Sequence, residues 1–366
     1  MRRLTVVVLF GGRSVEREVS RISARTIARS LDPKKYEVVP LAVDSDGRFL
    51  TALASSRLLS AGAAAETRGA SGTVSEPTAA TVVPTEIGPG RADVVFPIIH
   101  GTTGEDGVLQ GFLETIGIPY VGAGVTGSAV GMDKGVFKAL LRDAGVPTPR
   151  SVLLSFPLAV RERREVRARL GELGVSLPLF AKPACGGSSV GVTKVKAWEA
   201  LEPAIDLAFR YDDRVLVEEG IDARELECAV LGNEEPRASV VGEIVPGREF
   251  YDYEDKYVEE GARLLIPAPI EGGAEREVRR RAVDVFRLAG ISGMARVDFF
   301  LERGTDRVLV NELNTLPGFT AISMYPKLWE ASGLPLPALL DELIRLALER
   351  QERRGRLLRE PPKELK

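Results

Sequence analysis

Ala295-Arg296-Val297-Asp298-Phe299-Phe300-Leu301 and Val308-Leu309-Val310-Asn311-Glu312-Leu313-Asn314 are two apolar runs that flank the polar turn Arg303-Gly304-Thr305-Asp306. Apolar stretches of this length around a glycine-containing turn predict a β-hairpin. A turn centred on Thr305 sets Asp298 opposite Glu312 and Arg296 opposite Asn314. Side chains alternate faces along a strand, so the four then share one face. Two carboxylates directly opposite each other repel unless something positive lies between them. Hard oxygen donors in this number suit Mg²⁺, which binds one or two carboxylates together with substrate phosphates. The plainer alternative is a solvated polar face with a nearby arginine as counter-charge, and Glu302 on the same face fits it. The pairing also requires that no bulge shifts the register.

The chain around this hairpin has 366 residues, room for two or three domains and a large core. Its 44% hydrophobic and 28% charged residues are those of a soluble globular protein. A net charge of −3 argues against a general nucleic-acid binder. No run of about 18 apolar residues occurs, which excludes a transmembrane helix. The two cysteines, Cys185 and Cys228, lack zinc-ligand spacing and offer no disulfide framework, as suits a reducing cytoplasm. Met1-Arg2-Arg3 before Leu4 to Phe10 has the outline of a secretory signal. The apolar run, however, ends at Gly11-Gly12 and enters Arg13, Glu16, Arg17 and Glu18 without a small-residue cleavage site, so it reads as a first strand.

Thr5 to Phe10 is a continuous apolar run, as expected of a strand buried on both faces. Ser14 is a candidate N-cap for a helix reaching about Ser30. Glu37 to Val43 and Asp93 to Ile99 read as further strands, so the first part alternates β and α. Between them, Thr51 to Gly90 is rich in Ala, Ser, Thr, Gly and Pro and reads as a poorly ordered insertion with little to bury. Asp133 to Ala144 is a helix stopped by Gly145, and Arg161 to Arg169 an exposed charged helix face. Leu179 to Lys182 and Val215 to Glu218 are strands; Glu275 to Ala289 and Pro337 to about Arg353 are helices.

Three further stretches carry chemistry. Lys182-Pro183-Ala184-Cys185-Gly186-Gly187-Ser188-Ser189-Val190-Gly191 follows a strand. Its glycines let backbone N–H groups approach phosphate oxygens, and its lysine supplies a mobile charge. The lysine precedes the glycines, so this is not a Walker A loop but a hairpin able to fold over phosphates; a plain Gly-Ser turn is the alternative. Gly11-Gly12-Arg13-Ser14-Val15-Glu16 puts a carboxylate at a helix start beyond a buried strand, where ligands of open α/β sheets bind, although a helix-dipole partner would look the same. His100, the single histidine, opens His100-Gly101-Thr102-Thr103-Gly104-Glu105-Asp106-Gly107 after a strand; a lone histidine is more often structural. Phe250 to Tyr257 is a polar aromatic cluster whose Lys256 and Tyr257 could close over a site.

Taken together, these motifs resemble the D-alanine–D-alanine ligases, ATP-grasp enzymes of peptidoglycan precursor synthesis. The resemblance runs from Gly11-Gly12-Arg13-Ser14-Val15-Glu16 through His100 to Gly107, Met132-Asp133-Lys134, Lys182 to Gly191, Glu225-Leu226-Glu227 and Phe250 to Tyr257, to Leu316-Pro317-Gly318-Phe319-Thr320. It implies a three-domain ATP-grasp fold: an N-terminal parallel-sheet α/β domain (1–124, with the 51–90 insertion), a central domain (125–220) and a C-terminal domain (221–366). It implies ATP-dependent joining of two D-alanines through an acyl phosphate, in a cytoplasmic homodimer with no nucleic-acid or membrane partner.

By match to the family, Asp298, Glu312 and Asn314 would hold two Mg²⁺ or Mn²⁺ ions. Lys134 and Lys182 would contact ATP phosphates, with Ser188, Ser189 and Lys256 also around the nucleotide. Glu218 and Glu225 would meet the adenine amino group and the ribose. Arg296 and the N–H of Gly318 would stabilise the oxyanion. Glu16 would bind the first D-alanine's ammonium, linked to Ser188 and Tyr257, with His100 nearby; Ser323 and Lys256 would orient the second D-alanine. Tyr257 favours an amine over a D-lactate nucleophile. The rivals are a related carboxylate–amine ligase with another second substrate, a nucleotide-binding regulator, and a dehydrogenase. The last lacks a Gly-x-Gly-x-x-Gly after the first strand.

Overall fold

The structure is a computed structural model that describes residues 2–60, 84–88, 90–156, 159–247 and 263–358. The first sheet has β1 (Leu4–Gly11) at its centre, flanked in parallel by β2 (Tyr36–Val43) and β3 (Val94–Pro97). Its apolar run is buried on both faces, as expected. Val6, Val8 and Phe10 share a core with Ala24 and Ile27 of helix α1 (Arg17–Ser30), while Val7 and Leu9 face Leu109 and Leu113 of another helix. The period of two thus sorts one strand between two cores.

Two local expectations need correction. Helix α1 starts at Arg17, and no side chain caps it; Ser14 Oγ instead accepts the Glu16 N–H at 3.1 Å and shapes the turn before the helix. The supposed insertion begins with helix α2 (Ala52–Ser60), which packs on β2. There the buried Ser55 hydroxyl accepts the Ala42 N–H at 2.9 Å, so a small polar residue does work that composition does not reveal. Residues 61–83 of that stretch lie outside the described residues.

Helices α3 (Val108–Thr115), α4 (Val125–Met132) and α5 (Lys134–Asp143) lead out of the first sheet, and Asp133 caps α5 by accepting the Val136 N–H at 2.9 Å. The second sheet is antiparallel. Its strands are β4 (Ser151–Ser155), β5 (Leu179–Pro183), β6 (Thr193–Val195) and β7 (Arg214–Glu219), in the order β4-β7-β5-β6. Helices α6 (Ala159–Glu172) and α7 (Leu201–Ala208) cover the face carrying Ala181 and Val217. Alternation therefore puts Lys182 and Glu218 on the opposite face.

The third sheet contains β8 (Ala223–Gly232), β9 (Arg237–Val245), β10 (Arg263–Leu265), β11 (Gly293–Glu302) and β12 (Val308–Asn314), ordered β10-β9-β8-β11-β12. Helix α8 (Gly272–Leu288) packs Val278, Ala282, Val285 and Phe286 against Val297 and Phe299. Helices α9 (Met324–Ala331) and α10 (Leu336–Gly355) join the core beneath β1.

The hairpin places Asp298 opposite Glu312 and Arg296 opposite Asn314, as expected, but it is bulged. Phe299 pairs with Val310 and Leu301 with Val308, so Asn311 is the extra residue and the turn is centred between Gly304 and Thr305. One bulge and a slightly earlier turn offset each other, and the four polar residues still share a face.

Candidate active site

The three sheets meet where β1, β3, β5, β7 and β11 present their polar residues. At the end of β1, Gly11 adopts φ +95, and a Cβ there would lie 2.2 Å from Val43 O, so only glycine allows this turn. Buried Ser20 secures the loop by accepting the Gly11 N–H at 2.8 Å and donating to Ile98 O. Glu16 follows this turn. Ser188 Oγ donates to Glu16 Oε1, and a Cβ at Gly187 would lie 2.9 Å from Glu16 Oε2. The glycine-rich loop therefore closes directly on this carboxylate. Ser188 (φ +50) and Ser189 (φ +58) are both left-handed, a conformation that non-glycine residues keep mainly where surrounding contacts enforce it.

His100 is buried beside them. Its Nδ1 lies 3.1 Å from Leu316 O and 3.2 Å from Glu105 Oε1. A carbonyl only accepts, so Nδ1 carries a proton. Its Nε2 is buried and makes no hydrogen bond within the described structure. Burial opposes the imidazolium, but the Glu105 and Glu16 carboxylates outweigh it and raise the His100 pKa.

At the start of α5, beside the second sheet, Lys134 Nζ donates to Gly186 O at 2.6 Å, and its backbone N–H donates to Ala184 O at 3.0 Å. Lys182 and Glu218, expected at the phosphates and the base, are bonded to each other here. The second oxygen of Glu218 pairs with Lys138 at 2.9 Å. Lys138 escaped the sequence reading, although its place four residues after Lys134 puts both on one helix face.

On the third sheet, the Arg296 guanidinium donates to both Asp298 oxygens at 2.7 and 2.8 Å, and its Nε lies 2.9 Å from Glu227 Oε2. Burial works against the Arg296 charge; Asp298 and Glu227 overcome it and raise its pKa well above the ordinary value. Glu227, also missed, pairs with Asp298 in the β8–β11 register as Glu312 does on the other side. Glu225 lies on the same face two residues earlier.

The Asn314 amide donates to Asp298 Oδ2 at 2.8 Å. Half a rotation of that amide would direct its oxygen inward, giving an all-oxygen donor set with Asp298 and Glu312 that fits a hard divalent cation. Among the described residues no three His, Cys, Asp or Glu side chains form a metal-binding group. Beyond β12, a Cβ on Gly318 would meet Ser323 Oγ at 2.8 Å, while Ser323 Oγ lies 2.8 Å from Thr320 Oγ1 and accepts the Thr320 N–H at 2.9 Å. The Phe319 N–H donates to buried Ser23 at 3.1 Å, which anchors this loop to α1. Lys256 and Tyr257 lie outside the described residues.

The site thus combines carboxylates, lysines and Arg296 from the turn after β1, helix α5 and the second and third sheets, and comparison with known proteins gives it a family. The family model for the D-ala D-ala ligase N-terminus matches residues 5–123, and that for the C-terminus matches residues 140–345. The chain belongs to the D-alanine–D-alanine ligase family. It is 49% identical over 362 residues to D-alanine--D-alanine ligase A of Chromobacterium violaceum, covering 96% of each chain. The solved D-alanine-D-alanine ligase of Coxiella burnetii superposes with a TM-score of 0.80 at 38% identity, covering 98% of each chain. A D-Ala:D-Ser ligase of Enterococcus faecalis also reaches 0.80, at 34% identity, with 94% of this chain and 100% of that one covered. The expected family and ATP-grasp fold are borne out: this ligase-family chain has a parallel N-terminal sheet followed by antiparallel sheets. No helix among the described residues is long and apolar enough to cross a membrane.

Proposed function

We propose that this chain joins two D-alanines into D-alanyl-D-alanine for peptidoglycan precursors, using ATP and passing through an acyl phosphate. The observation that carries the reading is the half-buried Arg296, held by Asp298 and Glu227, because binding alone requires no such oxyanion donor. Glu16, positioned by Ser188, receives the ammonium of the first D-alanine, with His100 alongside. Lys134, Lys182, Ser188 and Ser189 surround the ATP phosphates, while Glu218 and Glu225 meet the base and the ribose. Asp298, Glu312 and Asn314 are the residues that would hold Mg²⁺ or Mn²⁺, which supplies neutralisation of phosphate charge.

The carboxylate of the first D-alanine attacks the γ-phosphorus of ATP, and ADP leaves. The amine of the second D-alanine, oriented by Ser323, then attacks the acyl carbon. Arg296 and the Gly318 N–H stabilise the resulting oxyanion, and the intermediate collapses with loss of phosphate and a proton. Removing one such donor typically lowers turnover by about 10²–10³. Lys256 and Tyr257 complete the site in this reading. Domains of 1–124, 125–220 and 221–366, a homodimer and a cytoplasmic location belong to the same proposal.

Phosphate release with ATP and Mg²⁺ tests it, comparing D-alanine, L-alanine, and D-alanine with D-serine or D-lactate, with products weighed by mass spectrometry. Release with D-alanine alone, giving the dipeptide and lost in Arg296→Ala, is expected. Absence of D-alanine-dependent release would overturn the reading. The likeness to a D-Ala:D-Ser ligase supports a second reading with another nucleophile, which a dominant mixed product would establish.

A further inference from the structure

Lys138 is fully buried, yet it carries a cationic side chain that the proposed reaction does not use. Its ammonium lies 2.9 Å from Glu218 Oε2 and donates to Thr148 Oγ1 at 3.0 Å. Lys182 takes the other oxygen of Glu218. We propose that Lys138 is a positioning residue that keeps Glu218 a pure hydrogen-bond acceptor, and so makes this site prefer a 6-amino purine nucleotide to a 6-oxo one. The proposal rests on the reading of Glu218 as the residue that meets the nucleotide base.

An ionised carboxylate only accepts hydrogen bonds, whereas a protonated one also donates. The 6-amino group of adenine donates and the 6-oxo group of hypoxanthine accepts, so the charge state of Glu218 determines which base it favours. Glu218 is 3% exposed, and such burial alone drives a carboxyl toward its neutral form. Burial is outweighed here by Lys138 and Lys182, which hold Glu218 below the usual carboxylate range. The two lysines differ in standing. Lys182 stands near the end of β5, just before the glycine-rich loop, and is the one that would turn to ATP phosphate. Lys138 has no exposure, and Thr148 anchors its ammonium beneath Glu218. Once nucleotide draws Lys182 away, Lys138 is the cation that remains to hold the charge. Burial lowers the pKa of Lys138 itself; against it, Glu218 is the principal neighbour that favours the charge, Glu312 helps and Lys182 opposes.

Steady-state kinetics with ATP and ITP, at saturating D-alanine and Mg²⁺, test this in the parent enzyme, Lys138→Met, Lys138→Arg and Glu218→Gln. Lys138→Met is expected to reduce the ATP:ITP ratio of kcat/KM by about tenfold, the worth of a hydrogen bond to a charged group, mostly through nucleotide KM. Lys138→Arg, which keeps the charge, is expected to retain more of the preference. A merely structural lysine would lower both nucleotides equally. An unchanged ratio in Lys138→Met, with a changed ratio in Glu218→Gln, overturns the proposal and leaves the base reading standing. An unchanged ratio in Glu218→Gln overturns the base reading, and the proposal with it. If Lys138→Met does not fold, Lys138→Gln, which keeps a donor without the charge, is judged by the same ratio.

Discussion

Ser188 and Glu16 lie 172 positions apart in the chain, and Ser188 Oγ donates a hydrogen bond to Glu16 Oε1. The contact joins the glycine-rich loop of the second sheet to the turn after β1, so two stretches far apart in sequence meet at one pair of side chains. Ser188 also holds φ +50. Ser188→Ala removes the hydroxyl at unchanged backbone cost, whereas Ser188→Gly removes it and relieves the strain. Both are expected to lower kcat/KM for D-alanine by about 10- to 100-fold, as for a lost hydrogen bond to a charged group. Parent-like turnover in the glycine variant would mean that the hydroxyl is dispensable.

Gly318 faces Ser323 so closely that an added methyl must move it, since the Cβ would lie 2.8 Å from Ser323 Oγ. Gly318→Ala is expected to raise KM for the second D-alanine and to cost about 1–3 kcal/mol in urea unfolding. In Gly318→Ala/Ser323→Ala the clashing oxygen is gone, so the stability penalty should fall below the sum of the single changes. Strict additivity would show that the two residues are not coupled.

Asp298 is shared between Arg296 and Asn314, while Glu227 offers Arg296 a second partner at 2.9 Å. With Glu227→Gln, Arg296 loses one of its two close carboxylate partners and should hold Asp298 more tightly. Calorimetric titration of Mn²⁺ into the protein with ADP, without turnover, is expected to show affinity reduced about tenfold in Glu227→Gln and further in Asp298→Asn. Unaltered Mn²⁺ affinity in Asp298→Asn would remove this residue from the metal set.

Arg350 ties the end of the chain to the segment leaving the first sheet. Its guanidinium donates to Gly122 O, to Tyr120 O at 2.7 Å and to Ser292 Oγ at 2.9 Å, and lies 4.2 Å from the Tyr120 ring centre. Arg350→Met strands two buried carbonyl oxygens, so urea unfolding is expected to lose about 2–5 kcal/mol. A change below about 0.5 kcal/mol, the usual range for a surface site, would contradict that role.

Cys185 sits in the glycine-rich loop but is not poised to react. Burial, with Asp212 and Asp133 adding to it, pushes its thiol pKa up to about 12. The thiolate fraction then keeps rising with pH across the whole range between 8 and 11. Labelling by a disulfide reagent at pH 8 should run far slower than for an ordinary cysteine and climb about tenfold per pH unit, because the thiolate is the nucleophile. Cys185→Ser resolves its signal from that of Cys228. A plateau near pH 9 would contradict the shift.

Local patterns made much of this molecule legible. The unbroken apolar run of β1 and the alternation along β11 depend on near neighbours, and both were readable from local apolar patterning. The motif order likewise carried the family, since the same loops recur at the same places. Composition misled where one side chain mattered: α2 is rich in small residues, yet Ser55 secures it to β2. The hairpin register came out as expected only because the bulge at Asn311 compensates for an earlier turn.

What sequence alone determined, then, was which residues form strands, helices and glycine turns, because those preferences are set by backbone sterics and neighbouring side chains. Which charges meet was decided by tertiary structure. Lys138 of α5 reaches Glu218 of β7, Glu227 faces Arg296 and Ser188 finds Glu16 only once sheets and helices distant in sequence are brought together. A buried charge is tolerated only beside its partner, and no local period states where in a distant strand that partner will lie.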